Sequence, residues 1–452
     1  MTLPSSVRPA PLPHNFQHCL SDFLARLSDS RPLGVAVSGG SDSLGMLYGL
    51  AALLAPVKLV ALTVDHGLRT GSADEARQVK SHCRRLGVCH ETLFWDDKPP
   101  VAGLQAAART ARYNLLGSAA ARLGLAAVLT AHTSGDQDET LEMRRARSQS
   151  DVAPGLAGIP HATLFDGHMW VLRPLLGVNR AEIRDFLRQA NVDWIEDPSN
   201  IDERFERVRV RARLKDQPAD RRGLGSEDIV VARSLLARRA AAIIDGNCSL
   251  ETGDTIRMKC SPGEDADVVV AVIEALIDLC GGAGRALDRR GKATLADIAS
   301  ACIGDFDTNG QTITLGRCLI RRHGRELLIR RESRGIEELV LAPGSAGVWD
   351  GRYHIRNLDQ RAHLHVVGGG PEGITPLFRR DLAVEPLFKD MHEELFGGFS
   401  CRRLIGRSSR VLPIHELPLA QALTGLVDTD LLPECPWVNL KVKMTAIGVN
   451  VL

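Results

Sequence analysis

Short apolar runs alternate with amphipathic stretches through the first half of the chain. Residues 33–37, 59–64, 126–130 and 170–172 are apolar and too short for buried helices, so they read as buried strands. Residues 72–86, 104–123 and 180–190 carry polar and apolar positions at helical spacing. Repeated strand–helix units predict an α/β fold whose parallel sheet is covered on both faces. Ligands of such sheets sit at the carboxyl ends of the strands. Past Gln217 the pattern changes. Residues 229–244, 265–279 and 293–302 read as helices. Strands follow at 312–315, 318–322 and 326–330, the last two joined as a hairpin through His323-Gly324-Arg325. Residues 349–355 read as one more strand, and Gly368-Gly369-Gly370-Pro371 as a linker. The expected organisation is an α/β domain over 1–216, a helical region over 217–305 and a β-rich region over 306–367. Residues 368–452 form a tail without an assignable pattern.

Composition narrows the class. The chain has 452 residues, 44% hydrophobic and 25% charged, ample for several globular domains. No apolar run reaches the roughly 18 residues of a membrane span. The polar, Pro-rich residues 1–13 lack the apolar centre of a signal peptide, so a cytoplasmic protein without membrane contact is expected. The net charge of +1 advertises no global attraction to nucleic acid, so any RNA surface must be a local patch. The 10 cysteines are scattered without a C-x-x-C pair, which reads as isolated buried thiols rather than a zinc or iron–sulfur site.

Candidate chemistry gathers after the predicted strands. Ser38-Gly39-Gly40-Ser41-Asp42-Ser43 sits between a strand and a helix. Such a turn aims backbone N–H groups, small hydroxyls and a helix N-terminus at an anion, and phosphate is the usual guest. Asp42 repels phosphate unless it holds a divalent cation between them; an ordinary capped Gly/Ser turn is the alternative. The run lacks a Walker-type lysine and is not G-x-G-x-x-G. It matches S-G-G-x-D-S, the pyrophosphate loop of the N-type ATP pyrophosphatases. Asp65-His66-Gly67-Leu68-Arg69 and Ala131-His132 follow two other strands, so all three sites are expected to face one cleft. Asp136, Asp138 and Glu139 open a helix, where serving the helix dipole is the bland reading. Arg109 and Arg112 share a helix face and suit phosphate, or simply solvent. Arg204, Arg207, Arg209, Arg211, Arg213 and Lys215 form the clearest basic tract. Its alternation lies on one face of a strand and spreads around a helix; either form neutralises RNA phosphates.

Taken in order, these segments resemble the tRNA(Ile)-lysidine synthetase family. The likeness runs from Ser38-Gly39-Gly40-Ser41-Asp42-Ser43 through Asp65-His66, Arg109-Thr110-Ala111-Arg112-Tyr113, Ala131-His132 and Asp136-Gln137 with Glu139-Thr140. It continues through Gly155-Leu156-Ala157-Gly158-Ile159, Arg173-Pro174-Leu175-Leu176 and Asp197-Pro198-Ser199-Asn200 with Arg207. The resemblance implies an adenine nucleotide alpha hydrolase-like domain. It also implies a ligase that adenylates C2 of the wobble cytidine of CAU-anticodon isoleucine tRNA with ATP and Mg²⁺. Free L-lysine then displaces AMP and leaves lysidine. By the same resemblance, Ser38, Gly39, Gly40, Ser41, Asp42 and Ser43 bind the nucleotide and Asp42 holds Mg²⁺. Arg112 and His132 stabilise the adenylated intermediate or the departing phosphate, and Asp136 and Glu139 place or deprotonate lysine. A homodimer is compatible with it.

The chain departs from the family pattern at Thr133, where a second His is usual, at Gly135, usually acidic, and across the charged residues 141–150. Two rival readings are a related tRNA 2-thiolation enzyme and an RNA-binding protein with a decayed ATP site. The missing C-x-x-C argues against the first. The presence of Asp42, His132, Asp136 and Glu139 argues against the second.

Overall fold

The computed structural model describes residues 11–67, 71–96, 103–147, 154–196, 204, 206–215, 226–282, 286–304, 310, 312–370, 373–380, 383–387, 398–406 and 410–437. They form two compact units, 1–231 with 433–452, and 232–432. No helix among the described residues is long and apolar enough to cross a membrane.

The first unit contains α1 (His14–Ala25), β1 (Leu33–Ala36), α2 (Ser41–Leu53), β2 (Leu59–Asp65), α3 (Ser72–Leu86) and β3 (Cys89–Phe94). It continues with α4 (Leu104–Arg122), β4 (Ala127–Leu129), α5 (Ser134–Arg147), β5 (Ala162–Phe165), β6 (Met169–Leu172), α6 (Arg180–Gln189) and α7 (Glu206–Lys215). These six strands lie in the order β5-β6-β4-β1-β2-β3. All neighbours are parallel except β5, which returns antiparallel on β6 through Asp166 and Gly167, both at positive φ. The expected parallel α/β sheet is therefore present, with one antiparallel hairpin that the repeating strand–helix pattern did not announce. α4 covers the centre of the sheet, packing on Leu62, Leu93, Val128 and Val171, with Tyr113 stacked on Phe165 at 4.0 Å.

One close approach sets the position of α6 on α2. A Cβ on Gly45 of α2 would lie 2.1 Å from Ile183 Cγ2 of α6. Only glycine lets the two helices meet there. The start of α6 is fixed by a capping box: Asn179 Oδ1 accepts from the Ala181 N–H at 2.9 Å, and Glu182 Oε1 from the Asn179 N–H at 3.4 Å.

The second unit begins within α8 (Ser226–Asn247), where a five-stranded antiparallel sheet forms. Its strands are β7 (Cys248–Glu251), β8 (Thr255–Lys259), β9 (Thr312–Leu315), β10 (Cys318–His323) and β11 (Glu326–Arg331), packed with α9 (Ala266–Gly281) and α10 (Arg289–Ile303). The β7–β8 hairpin falls inside the stretch read as wholly helical; its residues mix charge with single apolar positions and carry no strong period. The β10–β11 hairpin turns at Gly324, as its sequence predicts. Two smaller sheets follow, β12-β15-β16-β17 and β13-β14-β18. Their strands are β12 (Leu339–Leu341), β13 (Ala346–Trp349), β14 (Tyr353–Asn357), β15 (Leu364–Gly369), β16 (Thr375–Arg380), β17 (Ala383–Leu387) and β18 (Phe399–Arg403).

Two sequence expectations are corrected here. Residues 349–355 are not one strand: Asp350 and Gly351, both at positive φ, turn β13 back as β14. Gly368 and Gly369 are not a linker but pair with Pro376 and Thr375; glycine's weak strand preference hid them. The tail without pattern also holds strands, and part of it returns to the first unit. There the Ser28 N–H and Oγ donate to Pro436 O at 2.9 and 3.0 Å, and Trp170 Nε1 to Pro433 O at 3.2 Å. Trp437 packs 6.0 Å from the Phe23 ring.

Substituting Gly45→Ala should overpack the α2–α6 contact and cost about 1–3 kcal/mol. Urea unfolding measures it, and an unchanged midpoint would contradict the packing described.

Candidate active site

β1 ends in the loop that the sequence singles out. Gly39 adopts φ 84°, and a Cβ there would meet Ile195 Cδ1 at 2.4 Å, so glycine is required twice over. The Ile195 N–H donates to Gly39 O at 2.9 Å and fastens the loop from outside. Ser43 Oγ accepts from the Ser38 N–H at 3.2 Å and donates to Gly40 O at 3.0 Å. No side chain caps the first amides of α2, which leaves them to an incoming anion.

The loop opens into a cleft of about 400 Å³. Ser38, Gly40, Ser41, Asp42 and Ser43 line it together with Arg112, His132 and Asp136, while Leu62, Val64 and Leu116 give it an apolar side. Glu139 lies just behind, 2% exposed, reached by Arg207 and Arg211, which do line the cleft. Of the residues assigned a role, Ser38, Gly40, Ser41, Asp42, Ser43, Arg112, His132 and Asp136 line the cleft; Gly39 and Glu139 do not, and neither do Asp65 and His66, which the sequence reading expects to face it. β2 contributes Leu62 and Val64 rather than Asp65-His66. The Asp65 carboxylate instead closes its own turn on the Gly67 N–H at 2.9 Å, and the His66 ring packs edge-on against Trp95. Leu68-Arg69 and Asp197-Pro198-Ser199-Asn200 lie outside the described residues.

One wall of the cleft is a row of alternating charges. Arg180 Nε donates to Asp42 Oδ2 at 2.7 Å, and its Nη2 lies 3.5 Å from Asp136 Oδ2. Arg207 donates to Asp136 Oδ1 at 3.2 Å and to Glu139 Oε2 at 2.9 Å; Arg211 Nε donates to Glu139 Oε1 at 2.6 Å. Burial raises the pKa of Asp42, opposed by Arg180 and reinforced by the charge of Asp136. Burial acts in the same direction on Asp136. There the Thr133 N–H, Arg207 and Arg180 outweigh it and hold the carboxyl below its ordinary range.

Thr133 has a defined place in this wall. It is fully buried at the start of α5, and both its N–H and its Oγ1 donate to Asp136 Oδ2, at 2.9 and 3.0 Å. A small hydroxyl residue there orients the carboxylate. The charged residues after Thr140 are also placed: Leu141 is buried, Arg144 donates to Gly158 O at 2.8 Å, and Arg147 pairs with Glu206.

Arg109 and Arg112 also line the cleft, and Arg173 is buried near His132. Among the described residues no acid pairs with Arg109, Arg112 or Arg173. Burial and the neighbouring Arg109 lower the Arg112 pKa. Arg173 is 4% exposed, donates to Pro160 O and Thr163 Oγ1, and leaves its Nε without a partner. His132 lines the cleft, with Nδ1 3.0 Å from Thr130 Oγ1. Burial first, then Arg173, push its pKa down to about 3, so the ring is neutral near pH 7.

Three features went unread in the sequence. The basic tract is helix α7, and Arg207 and Arg211, one turn apart, face Asp136 and Glu139 rather than solvent. α6 supplies Arg180 and Arg184, the latter donating to Ser41 Oγ at 3.3 Å and to Glu196 at 3.0 Å. Ile195 buttresses the loop. The i,i+4 spacing of both arginine pairs was the available signal.

Known proteins resemble the chain over most of its length. Residues 12–217 match the family model of the PP-loop domain. A tRNA(Ile)-lysidine synthase of Mesorhizobium japonicum is 37% identical over 435 residues, covering 89% of this chain and 93% of the relative. That of Rhizobium meliloti is 36% identical, covering 76% and 78%, and that of Brucella anthropi 37% identical, covering 71% and 73%. Among solved structures, the U34-tRNA thiolase NcsA from Methanococcus maripaludis is similar at 15% identity and TM-score 0.39, over 51% of this chain and 87% of that one.

The His132 environment sets a pH dependence. Its folded pKa lies below the ordinary 6.5, so the unfolded chain binds the extra proton, and this contribution to stability is lost as pH falls from about 6.5 toward about 3. His132→Gln should therefore lose less stability than the wild type between neutral and mildly acid pH in urea unfolding. Parallel losses would contradict a buried, neutral ring.

Proposed function

The chain belongs to the tRNA(Ile)-lysidine synthase family, and on that premise we propose how its cleft performs the reaction. The enzyme is an ATP-using ligase that forms lysidine in tRNA(Ile). The C2 oxygen of the wobble cytidine of the CAU anticodon attacks the α-phosphorus of ATP and pyrophosphate leaves. The ε-amine of free L-lysine then attacks C2, and AMP departs with the oxygen. Both steps develop negative charge on phosphate, and the second requires an amine without its extra proton.

The observation that carries this assignment is that one cleft gathers the phosphate loop, a row of paired carboxylates, and Arg109 and Arg112, which no acid pairs with among the described residues. Ser38 to Ser43 offer backbone N–H groups and hydroxyls to the pyrophosphate. Leu62, Val64 and Leu116 supply an apolar side for the adenine base. Arg112 lies in a poorly hydrated wall where a guanidinium stabilises phosphate charge more than it would in water. His132, neutral, offers a hydrogen bond to the adenylated intermediate or the departing phosphate from its other ring nitrogen. Asp136 and Glu139 are the acids suited to an ammonium, exchanging it against the guanidiniums that now hold them. The work is positioning and charge neutralisation, without a covalent enzyme intermediate.

Magnesium is bound in such sites by one or two carboxylates plus substrate phosphates, not by a protein cage. Asp42, with Asp136 across Arg180, fits that donor set. There magnesium would neutralise the leaving pyrophosphate. The reading places the enzyme in the cytoplasm with its tRNA.

Incubation with ATP, labelled lysine and CAU-anticodon isoleucine tRNA should transfer lysine to that tRNA and not to methionine tRNA. Binding without transfer would defeat the assignment. Asp42→Ala should abolish pyrophosphate release and leave tRNA affinity largely intact. Arg112→Met should lower kcat about 10²–10³-fold.

A further inference from the structure

Asp42 and Asp136 begin on different helices, α2 and α5, yet converge on one guanidinium. Arg180 Nε lies 2.7 Å from Asp42 Oδ2 and Arg180 Nη2 lies 3.5 Å from Asp136 Oδ2. The three side chains are largely withdrawn from water, Arg180 at 27%, Asp42 at 19% and Asp136 at 12% exposure. Asp136 has further support from Arg207 and from the N–H and hydroxyl of Thr133. Asp42 has less: beyond Arg180 it accepts only from the Ser41 hydroxyl, at 3.3 Å, and Arg180 is its one cationic partner among the described residues. The position of Arg180 is not left to a flexible side chain alone. The Asn179–Glu182 capping box fixes the first turn of α6, and the Gly45–Ile183 approach sets its distance from the phosphate loop.

We propose that Arg180 is a resident counter-cation of the phosphate loop, balancing Asp42 and Asp136 before nucleotide arrives and ceding Asp42 to the divalent metal that accompanies ATP. Two carboxylates facing each other in a poorly hydrated cleft repel unless a cation stands between them. A guanidinium on a neighbouring helix supplies that cation at all times. A divalent ion supplies twice the charge but only when it is present. The released guanidinium is then available to phosphate oxygens, its other natural partner. The cleft can thus fold and wait with its two carboxylates paired. The inference rests on the assignment of Asp42 to the metal. Its test needs neither nucleotide turnover nor tRNA, so its failure leaves the lysidine reaction standing.

The test is thermal unfolding of the full chain and of Arg180→Met, without nucleotide, in chelator or in millimolar magnesium chloride at matched ionic strength. In chelator the variant should melt lower by about 2–4 °C or more. Magnesium should restore most of that deficit and shift the wild type much less. The magnesium concentration needed for half-maximal binding of a non-hydrolysable ATP analogue should also fall in the variant, because the competing guanidinium is gone. A variant as stable as the wild type in chelator would overturn the proposal, and so would a deficit that magnesium leaves untouched. Should Arg180→Met not fold in chelator, the double variant Asp42→Asn/Arg180→Met, with one carboxylate charge fewer, should fold. Its failure to do so would also overturn the proposal.

Discussion

The alternation of carboxylates and guanidiniums from Asp42 to Arg211 draws four helices to one point. Asp42 comes from α2, Arg180 from α6, Asp136 and Glu139 from α5, and Arg207 with Arg211 from α7. Each acid is buried or nearly so, and removing one partner of a buried pair typically costs about 3–5 kcal/mol because a charge is left unmatched. The same bonds that assemble the cleft therefore also match the charges of its acids. Glycine makes the convergence geometrically possible: Gly45 admits α6 against α2, and Gly39 lets the loop turn beneath Ile195.

Beside this row stand guanidiniums that no acid pairs with among the described residues. Arg109 and Arg112 line the same cleft and Arg173 is buried near His132; burial together with the field of Arg173 keeps that ring neutral. On the proposed function the cleft takes two kinds of guest, a polyphosphate and an ammonium. A reaction that first puts adenylate on a base and then brings an amine to it needs both in one cavity. Departures from the family pattern are accommodated by the same logic. Thr133 directs Asp136 through two hydrogen bonds, and the charged end of α5 finds partners in Gly158 and Glu206.

How far the sequence revealed this depended on range. Elements with strong periods were legible: helix 72–86 matches α3 at both ends, and the loop Ser38–Ser43 sits between β1 and α2 as its residues require. Edge features were not, because the polar alternation of β3 and the glycines of β15 dilute the strand signal. The site divided the same way. Residues next to strand ends, such as Asp42 and His132, are visible in local pattern. Arg180, Arg184 and Arg211 are not visible as site residues because their partners lie far away in sequence, and a basic residue on an amphipathic helix looks solvated until its partner is known. The arginine tract shows both sides of this: its charge is plain in the sequence, but its alternation suggests a phosphate surface where two of its members close on buried acids.

The most direct test of the charge row is a double-mutant cycle on Glu139 and Arg211, whose atoms lie 2.6 Å apart. The stabilities of Glu139→Gln, Arg211→Met and the double variant are measured by urea unfolding. The account predicts a coupling of about 1–3 kcal/mol, the double variant losing much less than the sum of the singles. Losses that add to within about 0.3–0.5 kcal/mol would show that the two residues do not depend on each other and would contradict it.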